Sequence, residues 1–162
     1  MDDVPSSGPE FFDIRYAAGR MPWDYGGVQN SLKAFLSRHH EPGRVLIPGC
    51  GSGYEIEAFF STGWDVIGID YSPVGVARAR RLLGPLADKV YEGDFFTYPL
   101  GEASFDLIYG AHLSVHAVAR CQASVCPTAC YADCPIRHPL WIFLSRSRRG
   151  TTPLSNHSGP TG

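Results

Sequence analysis

The chain has 162 residues, 44% of them apolar, and a net charge of −2, which suits one globular domain able to bury a core and gives no electrostatic reason to bind nucleic acid or an acidic membrane. No apolar run approaches the roughly 18 residues of a membrane span, and the Met-Asp-Asp start has the wrong sign for a signal peptide, so a cytoplasmic monomer is expected.

In chain order, residues 1–10 are polar and read as a flexible N-terminus. Asn30 or Ser31 can cap a short helix whose Leu32, Phe35 and Leu36 face inward, ended by Pro42 and Gly43. Val45 to Pro48 reads as a buried strand. It runs into the alternating glycines Gly49, Gly51 and Gly53, where missing Cβ atoms let a ligand approach the backbone. Tyr54 to Thr62 follows as a helix with Ile56, Phe59 and Phe60 on one face and Gly63 as its stop. A second buried strand from about Asp65 to Ile69 ends at Asp70. Ser72 caps the next helix, with Pro73 at its first position, and Gly84 and Pro85 stop it. Lys89 to Glu92 and Phe105 to Tyr109 are the third and fourth strands.

Strands alternating with helices predict βαβ units, hence an α/β fold with a doubly wound parallel sheet. Right-handed crossovers then bring the glycine loop and Asp70 to the same carboxyl edge of the sheet, where ligands bind. There the Asp70 carboxylate can accept hydrogen bonds from both hydroxyls of a ribose; a solvated strand end before the Ser72 cap is the plainer alternative. A dinucleotide site would need a third glycine where Tyr54 stands. The G-x-G-x-G run instead matches class I methyltransferases, whose donor, S-adenosylmethionine, carries no phosphate but a zwitterionic tail and a sulfonium. The sheet is therefore expected to be of the Rossmann-like class I methyltransferase type. A nicotinamide-dependent oxidoreductase is the distant alternative.

The stretch "FFDIRYAAGRMPWDYGG", the glycine loop, "GDFF" at Gly93 to Phe96 and "FDLIY" at Phe105 to Tyr109 together resemble the thiopurine methyltransferase family, which includes thiol and halide methyltransferases. The resemblance covers about residues 11–109. It implies that Phe12, Tyr16 and Trp23 close over the cofactor, although relatives more often carry tryptophan where Phe12 and Tyr16 stand. Aromatic faces attract a sulfonium by about 0.5 to 2 kcal/mol. Core packing in an N-terminal lid is the alternative role for the three. Asp94 could accept a hydrogen bond from the adenine amino group, with Phe95 supplying its backbone N–H and apolar contact; a helix cap is the other reading of Asp94. The expected cofactor-binding set is thus Phe12, Tyr16, Trp23, Gly49, Gly51, Gly53, Asp70, Asp94 and Phe95. The implied activity is methylation of a small thiol, thiopurine-like heterocycle or halide. Displacement by a soft nucleophile at an activated methyl needs little acid or base help, so no catalytic residue is named. Cys50 reads as a small buried residue.

Two compositions meet near Tyr109. Residues 1–109 hold 9 Lys+Arg and 15 Asp+Glu, whereas 110–162 hold 5 Arg, one acid and no Lys or Glu. Gly110 and Ala111 replace an acidic residue and arginine that the family commonly has there, and no "PGG" turn follows. Cys, Arg, Pro, Ser, Ala and His in excess is what out-of-frame translation of a GC-rich gene gives. Residues 110–162 therefore read as an aberrant, largely irregular tail, with only Pro139 to Leu144 able to form a strand. The sheet is expected to be incomplete after strand four, leaving an apolar edge open to aggregation and the chain with little or no activity, a cofactor-binding fragment. Cys121, Cys126, Cys130 and Cys134 lack the paired C-x2-C spacing of structural zinc sites, even with His112, His116 or His138 as company, so no metal is expected.

Overall fold

The computed structural model of the chain describes residues 8–38, 41–100 and 105–110, together with the backbone of 141–144. Helices α1 (Pro9–Ala17) and α2 (Asn30–Leu36) precede β1 (Arg44–Pro48). Then come α3 (Tyr54–Ser61), β2 (Asp65–Asp70), α4 (Pro73–Leu83), a 3-10 turn over Gly84–Lys89, β3 (Val90–Glu92), β4 (Leu107–Gly110) and β5 (Trp141–Leu144). Pro at the start of α1 sets the first φ without wasting a donor. That helix starts inside the segment read as loose. The cap of α4 forms as expected, Ser72 Oγ accepting from Gly75 N–H at 2.9 Å. Asn30 is the first residue of α2 rather than its cap, a position taken by Gln29 without a side-chain bond.

The sheet order is β3-β2-β1-β4-β5. The first four strands are parallel, with Val45 beside Val66 and Leu107, and Gly68 beside Val90. Because side chains alternate along a strand, Val45 and Ile47 point to one face and Leu46 to the other. On the first face they meet Leu32 and Phe35 of α2, Ile56 and Phe59 of α3, and Val76, Ala79 and Leu83 of α4. On the second face Leu46, Ile69 and Ile108 pack with Phe95 and Phe105. Among the described residues only the first face carries helices, so the doubly wound arrangement is seen on one side alone.

β5 corrects the expectation of an open edge. Its four residues pair antiparallel with β4, Leu107 opposite Leu144 and Gly110 opposite Trp141. A run rich in Trp, Ile and Phe has strong strand propensity, and the unpaired N–H and C=O groups of β4 offer it a ladder. The edge of Leu107–Gly110 is thus covered by the one stretch of the tail, Pro139 to Leu144, that the sequence left able to form a strand. The tail cysteines and His112, His116 and His138 lie outside the described residues. No helix among the described residues is long and apolar enough to cross a membrane.

Candidate donor-binding site

Three alternating positive φ angles explain the glycine run: +63° at Gly49, +53° at Gly51 and +82° at Gly53. L side chains are strained there, so the loop that turns from β1 into α3 needs glycine at each. The loop is closed onto the end of β2. Gly49 and Cys50 N–H both donate to the Ile69 carbonyl, at 2.7 and 3.2 Å, and Gly51 N–H donates to Asp70 Oδ2 at 2.8 Å. Asp70 Oδ1 accepts from Ser72 N–H at 2.9 Å. A carboxylate oxygen has two lone pairs, so both oxygens keep acceptor capacity toward a ligand. Burial is the main cause lifting the Asp70 carboxyl above its ordinary range, with a further lift from Asp13, while the N–H groups of Ser72, Gly51 and Tyr71 pull the other way.

A cavity of about 680 Å³ opens at the carboxyl ends of β1, β2 and β3, large enough for a nucleoside with an amino-acid tail. Seven of the nine expected residues line it: Phe12, Tyr16, Trp23, Gly49, Asp70, Asp94 and Phe95. Gly51 and Gly53 do not. Gly51 lines a small adjoining recess, and a Cβ there would stand 3.2 Å from Tyr16 Oη. Gly53 faces away from the cavity: a Cβ would stand 2.8 Å from Leu83 Cδ1, so its place in the run serves the packing of α4 as well as the turn. Cys50 is buried as expected, packed beside Gly68, and burial pushes its thiol well up.

The aromatic lid is assembled edge to face. Trp23 lies 5.6 Å from the Phe12 ring and 5.9 Å from the Tyr16 ring, both near perpendicular. Tyr16 is almost fully buried against Gly75, and burial, helped by the Asp70 charge, raises its phenol. Sequence reasoning missed how Trp23 is held. Asp24 Oδ1 accepts from Gly26 N–H at 2.8 Å, and Asp24 Oδ2 accepts from Ser52 Oγ at 2.5 Å in the glycine loop. Arg78 Nε donates to the same Ser52 Oγ at 3.0 Å. "PWD" beside "GSG" was the available signal, but their contact spans 28 residues and needs the fold.

At the other end Asp94 bends its own turn, Oδ1 accepting from Phe96 N–H at 3.0 Å. That is the local bonding expected of an Asx turn, and Asp94 itself lines the cavity. Phe95 is 9% exposed and belongs to the second-face core, whereas Phe96 is 41% exposed and Tyr71 45%. Both line the cavity and were not singled out from the sequence. Their signal was position: Tyr71 directly follows the strand-end acid, and Phe96 closes "GDFF".

A sheet in this order, with the glycine loop clasped to an acidic strand end at its carboxyl edge, defines the fold of class I S-adenosylmethionine-dependent methyltransferases. Comparison with known proteins narrows this: the thiopurine S-methyltransferase family matches residues 7–119, most of the chain, and the protein belongs to that family. The match runs past Tyr109, where the composition changes. Among curated relatives, a probable thiol methyltransferase of Arabidopsis thaliana is 35% identical over 99 residues, covering 58% of this chain and 43% of the relative. Thiocyanate methyltransferase 1 of Brassica oleracea is 33% identical over 96 residues, covering 56% and 42%. The chain thus spans less than half the length of these relatives. Among solved structures, one concerned with conversion of a disulfide bond into a thioacetal group during echinomycin biosynthesis superposes with a TM-score of 0.57 at 25% identity, covering 70% of this chain and 56% of that one. A methyltransferase of Thiobacillus denitrificans in complex with S-adenosylhomocysteine gives 0.50 at 22% identity, covering 76% and 52%.

Proposed function

We propose that the chain binds S-adenosylmethionine in the cavity at the carboxyl edge and that the protein transfers its methyl group to a small soft acceptor, a thiol, thiopurine-like heterocycle or halide. The observation that carries this is Asp70, 7% exposed at the end of β2 and braced by Gly51 N–H, where two ribose hydroxyls can donate to it. The adenine is assigned to the cleft among Tyr71, Asp94, Phe95 and Phe96, and the sulfonium to the lid formed by Phe12, Tyr16 and Trp23. When the acceptor, as a thiolate, a deprotonated thiopurine or a halide anion, attacks the methyl carbon, the new bond forms as the sulfonium–methyl bond breaks, and the bonding pair returns to sulfur. The positive charge disappears, so a neutral S-adenosylhomocysteine leaves the aromatic faces more readily than the donor does. Alignment and exclusion of water supply the acceleration, consistent with the aromatic lid.

The thiol and thiocyanate methyltransferases among the relatives support the acceptor class. The second reading, binding without turnover, is raised by the altered composition after Tyr109 and is not favoured by the methyltransferase relatives. Calorimetry with S-adenosylhomocysteine and NAD in parallel, followed by methyl transfer from labelled donor to a thiol, thiocyanate and iodide, separates the readings. Binding of NAD alone would sink the methyltransferase reading; tight product-analogue binding with no labelled product from any acceptor would leave the non-catalytic one. Action as a cytoplasmic monomer on a small molecule, without nucleic-acid or membrane partners, belongs to the same proposal. It is supported by the net charge of −2 and tested by light scattering and cell fractionation.

Two predictions arise here. Trp23→Ala is expected to weaken the charged donor more than the neutral product, by about 3- to 30-fold, the equivalent of a cation–π contact; equal losses in calorimetry would leave Trp23 only a packing role. Acidification should also weaken S-adenosylhomocysteine binding in a window above the ordinary aspartate value of about 4, because protonation of the raised Asp70 carboxyl removes an acceptor for ribose. In the ligand-free chain the sign reverses. Asp70 and Glu55, both raised mainly by burial, bind more protons folded than unfolded, so their contribution to stability falls as pH rises from the unfolded toward the folded values. Binding isotherms from about pH 8 down to about pH 4 check the first statement, and Asp70→Asn should flatten the profile.

A further inference from the structure

Helix α1 is fastened at a point that its aromatic contacts do not explain. Asp13 stands between Phe12 and Tyr16 on the lid, and its carboxylate reaches the N-terminus of α4. Asp13 Oδ1 accepts from Ser72 Oγ–H and also from Val74 N–H, at 3.3 Å. Ser72 is fully buried. Its Oγ accepts from Gly75 N–H at 2.9 Å, and its own N–H donates to Asp70 Oδ1 at 2.9 Å. One buried serine therefore carries the lid carboxylate on its hydroxyl and the strand-end carboxylate on its amide. The negative charge of Asp13 also meets the positive end of an eleven-residue helix and satisfies one of its orphan donors. Gly75, in the same turn, leaves room for the lid: a Cβ there would stand 2.8 Å from Tyr16 Cε2.

We propose that Asp13 is a positioning residue that latches the lid helix to Ser72 and thereby couples closure over the donor to occupation of Asp70. The coupling rests on the reading of the cavity as the donor site. Asp13 and Asp70 are like charges sharing one serine, and Asp13 raises the Asp70 carboxyl. Ribose hydroxyls donating to Asp70 disperse its charge, which lets Asp13 seat more firmly. By linkage, a seated lid raises donor affinity by the same factor.

The test uses the full chain with Asp13→Ala and Asp13→Asn, reading hydrogen exchange of the α1 amides with and without S-adenosylhomocysteine, and its affinity by calorimetry. In the wild type the ligand should slow α1 exchange. Asp13→Ala should speed α1 exchange about tenfold without ligand and weaken S-adenosylhomocysteine about tenfold, as loss of charge-assisted hydrogen bonds implies. Asp13→Asn keeps an oxygen that can accept from both Ser72 Oγ–H and Val74 N–H but carries no charge, so it should restore ligand-free α1 exchange to within about threefold of wild type while the ligand slows that exchange less than in the wild type. Asp13→Leu, of similar size but with no acceptor, should behave as Ala; a residue that merely filled space would be rescued by Leu as well as by Asn, and that result overturns the latch. Unchanged ligand-free α1 exchange in Asp13→Ala, or an Asn variant no better than Ala, overturns the latch. Ligand binding to the wild type without any change in α1 exchange overturns the coupling. Should S-adenosylhomocysteine not bind the wild type at all, the donor reading and with it the coupling fail, while ligand-free exchange still decides the latch.

Discussion

Asp70→Ala is expected to lower S-adenosylhomocysteine affinity about a hundredfold or more, since two ribose hydroxyls would each lose a charged acceptor worth roughly 1 to 3 kcal/mol. The loss does not stop at the ligand. Gly51 N–H and Ser72 N–H both donate to this carboxylate, so alanine also removes one of the glycine loop's three bonds to β2 and leaves both donors unpaired. Asp70→Asn, which keeps one carbonyl acceptor, should fall between alanine and wild type. Calorimetry gives the affinities, and thermal unfolding of each variant without ligand separates loss of contact from loss of fold. A folded alanine variant with wild-type affinity would remove Asp70 from the site.

Phe59→Ala should destabilise the domain by about 3 to 5 kcal/mol, the usual cost of emptying a buried phenylalanine site. Phe59 is 0% exposed, and its ring lies 5.5 Å from Trp64, 5.5 Å from Tyr109 and 6.4 Å from Phe35. Those rings come from α2, the α3–β2 turn and β4, so no small local shift can close the gap. Against a total stability of about 5 to 15 kcal/mol the variant would be near its threshold. Urea denaturation should show a lower midpoint with an unchanged slope. A shift worth under about 1 kcal/mol would mean that this face is packed far more loosely than the ring geometry indicates.

The part of the site that could be read along the chain was local. The G-x-G-x-G spacing announced a glycine loop after β1, Asp70 was marked by its place at a strand end, and the Ser72–Pro73 start of α4 was a capping signal in consecutive residues. Gly53 shows the limit of that reading. Its glycine is required, but the close neighbour is Leu83 on α4, and no property of the loop itself distinguishes a glycine facing ligand from one facing a helix. The two partners that fasten the lid, Asp13 on Ser72 and Asp24 on Ser52, were silent because polar residues of a loop or an exposed helix face look alike until a distant serine stands beside them.

The sequence by itself determined the alternation of strands and helices, the glycine loop, the acidic strand end and the family, because each rests on backbone preference or spacing within a few residues. Only the tertiary structure decided which aromatic rings face the cavity, how the lid is tied down, and that Trp141–Leu144 adds an antiparallel strand to β4. These depend on contacts between residues far apart in the chain, where hydrophobic burial and unpaired strand edges select partners by position in space. Composition after Tyr109 argued for an open edge, but a short apolar run needs only an unsatisfied ladder nearby to become a strand.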